Sequence, residues 1–385
     1  MNQRTAFFTV LQGFYWITAC IIYTFSERFL TAYGFSVPQV GMITAAANIF
    51  SLLLQPLFAN LADRQNGLSL KAGISLLTAL SILFAVFVLS RHGYGVLTAV
   101  FFCSLSAVTL TIQPMVNSVG FHYIDLGQPL NYALARGIAS GIFAVFCYIA
   151  GFLAEWNIDS LLWAYILGSI GILAAALVFA PGKAQRIPNA VTPAGTAELF
   201  RRNPYLLLFL PGMILTFIPH NFINTYMLSI MGVIGRGTHE MSVAIALAAI
   251  VEIPAMCGFS LVQKRFRLGS LLLFSALAFL VKHLLLLLPL YLSLGTWAVY
   301  LSQCLQMFGY AVFIPASSFF INERMEDADL VKGQMLLTEA IVISGILGQL
   351  GGGFGISKIG VPATMLIGCV LSVFGFLLIR KGTRE

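Results

Sequence analysis

The stretch MSVAIALAAIVEIPAMCGFSLV, Met241–Val262, is an apolar run with one carboxylate, Glu252, near its middle. About 20 consecutive apolar residues suffice for a helix to cross the hydrocarbon core of a bilayer. An ionised side chain at that depth costs about 2.5–3.5 kcal/mol on insertion scales, so such a group is expected to have a partner or a task. The next apolar run, 268–290, is interrupted in the same way by Lys282. At about 1.5 Å per residue, Glu252 sits about 16 Å and Lys282 about 21 Å from the cytoplasmic ends of their helices. These depths suit a direct or water-mediated pair.

The whole chain repeats this pattern. It is 59% hydrophobic and only 9% charged, with mean hydropathy +0.92, whereas soluble domains carry about 25% charged residues. A polytopic membrane protein is therefore predicted. Twelve spans are expected at about 6–30, 37–61, 69–90, 94–121, 129–154, 158–180, 204–231, 240–262, 268–290, 293–321, 330–355 and 361–380. The first is read as a retained span, because no small-residue cleavage site follows it. The polar segment 181–203 divides an N-terminal six-helix bundle, 1–180, from a C-terminal one, 204–385.

Of the 21 Lys and Arg residues, fifteen fall on the side shared by the two termini, four on the other side and two inside spans. Positive residues collect in cytoplasmic loops, so both termini are predicted to be cytoplasmic and the membrane to be a cell inner membrane. The same rule explains the net charge of +7 without nucleic acid. The six cysteines all lie in apolar runs without metal-ligand spacing and read as small buried hydrophobes.

The halves repeat weakly at an offset of about 201 residues. Ser36 and Pro38 start span two with a cap and a first-turn proline, and Thr238 is expected to cap span eight. Six-span repeats with a midplane site are a transporter architecture. Spans five and eleven are rich in glycine, which suits a sliding contact between halves.

GMITAAANIFSLLLQPLFANLADR, 41–64, resembles the second span and following loop of the lactose permease (oligosaccharide:proton symporter) branch of the major facilitator superfamily. The second half, with an acid in span eight and a base in span nine, is similar to phenylpropionic-acid-permease-like proteins. The resemblance implies an all-α fold of twelve transmembrane helices in two pseudo-symmetric six-helix bundles, with alternating access. It also implies that Asp63 and Arg64, with Lys264 and Arg265 in the matching loop, form a cytoplasmic gate. Arg136 stands where that branch has its span-five arginine. Asn117 stands at the span-four acid, and Gln306 and Gly309 stand at the span-ten His and Glu.

Four charges lie well inside spans: Arg136, Glu252, Lys282 and Glu339. Glu252, Lys282, Glu339 and His220 are assigned to a proton-coupling charge network, with Glu339 paired to His220. Arg136, whose guanidinium suits hydroxyls or a carboxylate, is assigned to solute binding with Asn117, Gln306, Asn221, Trp16, Tyr23 and Asn48. No phosphate-binding loop, clustered metal ligands or credible Ser/His/Asp set is present in the sequence. The expected protein is a monomeric, non-enzymatic, proton-coupled importer of a sugar or similar polar solute, needing no cofactor or metal. Uptake of an aromatic or other carboxylate, drug efflux, and a non-transporting sensor or scaffold are the alternatives.

Overall fold

The computed structural model describes residues 2–62, 69–181, 196–292, 294–326 and 329–383, which are helices and short turns with no strand. The chain forms two compact units, Met1–Pro188 and Asn189–Glu385. Asp63, Arg64 and most of the predicted linker lie outside the described residues.

The first unit contains α1 (Gln3–Thr24), α2 (Ser26–Ala32), α3 (Val37–Ala62), α4 (Leu70–Arg91), α5 (Val96–Asp125), α6 (Tyr132–Trp156) and α7 (Ser160–Phe179). Its helices start where short polar side chains take up free N–H groups. Asn2 Oδ1 accepts from Thr5 N at 2.8 Å, and Asn131 Oδ1 accepts from Leu134 N at 2.9 Å. Helix α1 packs against α5, α6 and α7, burying Phe8, Leu11, Tyr15 and Ala19.

The second unit contains α8 (Thr196–Arg202), α9 (Leu206–Thr225), α10 (Met227–Val233), α11 (Thr238–Val262) and α12 (Leu268–Tyr291), followed by α13 (Thr296–Cys304). A 3-10 turn at Leu305–Met307 then leads to α14 (Tyr310–Arg324) and α15 (Leu330–Gly382). Phe209, Phe217, Phe279, Phe313 and Phe320 form its aromatic core. Continuous helix in α15 would reach about 80 Å, far beyond a hydrocarbon core of about 30 Å. It is broken at Gly360, where φ is 82° and Pro362 follows, so α15 supplies the last two of twelve spans.

The internal repeat is closer than the sequence suggests. Span one breaks at Phe25, between α1 and α2, and span seven breaks 201 residues later at Tyr226, between α9 and α10. The starts of α3 and α11, Val37 and Thr238, have the same offset. Ser36 immediately precedes α3, at the cap position, and both starts share a further device. The Gln39 side chain accepts from Ser36 N at 2.9 Å, and Glu240 accepts from Gly237 N at 3.1 Å. The side chain three residues on reaches back, which leaves Thr238 as the first helical residue instead of the cap.

Gly348 and Gly352 of span eleven pack against helix α9 of their own unit. A Cβ on Gly348 would lie 2.6 Å from Ile218 O and 3.2 Å from Phe222 N, and one on Gly352 would meet Phe222 and Tyr226. Gly212 faces the second segment of α15, where a Cβ would be 2.9 Å from Ile379 N. Thus α9 lies in contact with both segments of α15 at distances only a missing side chain allows. The cysteines divide: Cys20, Cys103, Cys147 and Cys369 are buried, Cys304 is intermediate, and Cys257 is exposed.

Overpacking costs about 1–3 kcal/mol. Gly348→Leu should therefore lower the melting temperature of the detergent-solubilised protein, whereas Gly351→Ala, with open space around its Cβ position, should leave it nearly unchanged.

Candidate functional site

In the first unit, three helices place polar side chains around one indole. Trp16 of α1 donates from Nε1 to Gln12 Oε1 at 3.2 Å, and Gln12 Nε2 donates to Asn117 Oδ1 of α5 at 2.9 Å. Arg136 of α6 lies over the Trp16 ring, its guanidinium carbon 4.1 Å from the ring centroid. Its Nη1 donates to Ser140 Oγ at 3.2 Å, one helical turn on. Phe143 meets the indole edge-on at 5.8 Å. The cation over a ring face, with amides alongside, gives a polar surface bounded by aromatic planes.

Trp16, Asn117 and Arg136 are thus brought together. Gln12 and Ser140 belong with them and were not among the candidates. Both were legible: each lies four residues, one helical turn, from Trp16 or Arg136 and on the same face. Tyr23 is apart from this array, donating its hydroxyl to Gln113 Oε1 at 3.3 Å. The Asn48 amide donates to Thr44 O in its own helix at 3.1 Å.

In the second unit, Lys282 has no solvent-exposed surface. Its ammonium makes a short hydrogen bond to Gln306 Oε1 on the 3-10 turn that interrupts span ten. Glu252 of α11 acts on this charge through space. The amide of Gln306 is thus a direct partner of the lysine. Turned to another face of α12, the buried His283 pairs through Nδ1 with Ser372 Oγ at 2.7 Å.

His220 is also buried, 3.1 Å through Nε2 from Asn224 Nδ2 and stacked on Tyr310 at 5.4 Å. Phe279 packs on the rings of both histidines, with centroids at 5.3 and 5.9 Å. His220 Nδ1 and His283 Nε2 are buried without a hydrogen-bond partner. Asn221 donates to Phe217 O and to Ser344 Oγ, each at 3.0 Å.

Glu339, expected beside His220, stands elsewhere. It lines a cavity with Leu207, Leu210, Pro211 and Ile214 of α9, more than one helical turn before His220. The helical register of α15 against α9, fixed by the glycine contacts, sets this position.

Lys264 and Arg265 are exposed in the turn after α11. Nearby in sequence, α8 carries a basic end. Arg201 and Arg202 pair with Glu198 at 3.0 and 2.9 Å, and their hydrogen bonds hold the Glu198 carboxyl below its usual range. Arg202 also reaches Glu326 at 3.6 Å and Asp329, at the start of α15, at 3.9 Å.

The MFS_1 like family matches residues 9–366. Among solved structures, the nucleoside transporter NupG has a TM-score of 0.83 at 14% identity, with 100% of both chains covered. A POT family transporter in complex with a thioalcohol-conjugated peptide has a TM-score of 0.70 at 12% identity, covering 97% of this chain and 94% of that one. A bacterial homologue of the human lysosomal transporter Spinster, inward-facing and unoccupied, has a TM-score of 0.68 at 15% identity, covering 99% and 96%. At these identities the likeness shows a shared fold. No curated protein matches the chain.

Gln306→Leu removes the hydrogen-bond acceptor of a fully buried ammonium. Hydrogen bonds to charged groups are worth about 1.5–3 kcal/mol, so thermal unfolding should show a loss of about that size. The double variant Lys282→Met/Gln306→Leu should recover most of it, because no buried charge is then left without its acceptor.

Proposed function

Because the chain belongs to the MFS_1 like family, we propose that it is a secondary active transporter importing a sugar or similar polyhydroxy solute by alternating access, coupled to protons. The observation that carries the solute reading is the Arg136–Trp16–Gln12–Asn117 array. An indole face offers an apolar platform for a sugar ring. The two amides and the guanidinium supply donors and acceptors for its hydroxyls. Nucleosides, which carry a sugar, fall in this class, and the similarity to a nucleoside transporter supports testing them first.

For proton coupling the reading rests on Glu252 and Lys282. When Glu252 is ionised, Lys282 stabilises it through space; when it is protonated, Gln306 keeps the lysine hydrogen bonded. Both states of the acid therefore leave the buried base with a partner. A helix movement that changes the separation would change the proton affinity of Glu252. His220 is assigned to the same half of the cycle, Asn221 to the solute, and the exposed Lys264 and Arg265 to the cytoplasmic gate. The fifteen-to-four distribution of positive residues supports cytoplasmic termini; the proposal takes the protein to be a monomer of the inner membrane.

Uptake of a carboxylate is the second reading, because Arg136 stacks on a neutral ring and the Lys282 hydrogen bond goes to a neutral amide. Arg136 and Lys282 each offer an anion a positive charge.

Proteoliposomes with an imposed inward proton gradient should accumulate labelled sugar or nucleoside, and a protonophore should abolish the accumulation. Arg136→Ala should reduce uptake at least tenfold. Glu252→Gln should retain solute exchange and lose uphill accumulation. Uptake indifferent to the pH gradient, or full accumulation by Glu252→Gln, would overturn the coupling. Inhibition by phenylpropionate-like acids, with none by sugars or nucleosides, would select the carboxylate reading.

A further inference from the structure

Glu339 sits in surroundings unlike those of the other intramembrane charges. Arg136, Glu252 and Lys282 lie among amides, hydroxyls or opposite charge, whereas Glu339 borders a cavity of about 280 Å³ whose other lining residues are all apolar. These include Phe200 of α8, Leu207, Leu210 and Ile214 of α9, and Leu336 and Ile343 of α15. The volume is near the small end of ligand pockets, which span roughly 300–1,000 Å³. All of the lining belongs to the second unit.

A carboxylate at membrane depth is costly without a compensating charge. Glu339 is only part-exposed, and among the described residues its carboxylate has no hydrogen-bond or ion-pair partner. The basic residues of the adjacent α8 are committed to Glu198, Glu326 and Asp329. The lining also offers no second oxygen ligand, so it cannot replace the hydration shell of a small inorganic cation, which needs several oxygens. It suits a cation whose charge is shielded by carbon. Such a group loses little hydration on entering, buries its body against Leu and Ile, and places its positive centre on Glu339, with Phe200 as an aromatic face within the same lining.

We propose that this cavity is a binding site for a small amphipathic organic cation, an alkyl- or aryl-ammonium, with Glu339 as its counter-ion. The lining shares no residue with the Trp16 array and does not include Lys282, so the proposal does not depend on the proposed sugar uptake. Occupancy would join α8, α9 and α15, the elements that form its wall.

Equilibrium binding of labelled phenyltrimethylammonium to the purified full chain in nanodiscs tests the proposal. Saturable binding is expected, weakened at least tenfold in Glu339→Gln and also in Ile214→Trp, which keeps the carboxylate and fills the cavity. tert-Butylbenzene, the neutral molecule of the same shape, should not compete at matched concentration. An elution volume on gel filtration equal to that of wild type would show that each variant is folded, and Leu208→Trp, outside the lining, serves as the bulk control. No saturable binding by wild type, equal binding by wild type and Glu339→Gln, or equal competition by tert-butylbenzene would overturn it. Failure of sugar uptake with intact cation binding would leave this site standing and overturn only the uptake reading.

Discussion

In a bilayer core there is no water to satisfy a freed backbone group, so each break in a spanning helix must be compensated by protein. That constraint organises this chain. Where span ten is interrupted at Leu305–Met307, the carbonyl of Gly309 accepts from Phe313 N of α14 at 2.9 Å and also from the buried Ser275 hydroxyl of α12. The same interruption puts Gln306 against Lys282. A continuous helix would have satisfied its own backbone but fixed Gln306 on a different register. The break and the buried charge therefore support each other: α12 supplies both the hydroxyl that accommodates the turn and the ammonium that the turn solvates.

The charges follow a related rule. A fully buried ammonium requires acceptors that remain whichever way its neighbours titrate, and an amide oxygen meets this need because it does not titrate at all. The amide keeps the lysine hydrogen bonded whether the half-buried Glu252 is charged or neutral. In the first unit the same problem is solved by a π face: Trp16 covers one side of the Arg136 guanidinium, while Gln12 fixes the indole by its N–H. Both arrangements place a neutral group in close contact with the cation.

Sequence carried the fold because its signal is one of length and hydropathy. Twelve apolar runs, the mid-chain polar segment and the offset of 201 residues are all visible, and the observed break at Gly360 falls between the last two runs, 330–355 and 361–380. The candidate site was less legible. Depth along a helix can be counted, so Glu252 and Lys282 were placed near one another. Which side chain touches Lys282 depends on a local 3-10 turn that the sequence LQM does not announce. Glu339 was assigned to His220 because both are polar and internal. Its actual neighbours are decided by how closely α9 and α15 approach, and that is set by Gly212 and Gly348. Gln12 was passed over although its position one turn before Trp16 pointed to it.

The repeat explains why backbone and chemistry diverge. Phe25 and Tyr226 mark the same break, and Gln39 and Glu240 make the same reach back to the helix start. Yet Arg136 and Glu339, close to equivalent at the same offset, have opposite charge and unlike surroundings, one on an indole and the other among leucines and isoleucines. A helix break depends on backbone geometry and is kept by any side chain that fills the same volume. A charge depends on what lies opposite it, and here the opposing helices differ: α1 offers Trp16 and Gln12, whereas α9 offers Leu207, Leu210 and Ile214. Two halves built on one plan can therefore hold unlike chemistry at matching positions, and the difference lies in the first helix of each unit rather than in the helix that bears the charge.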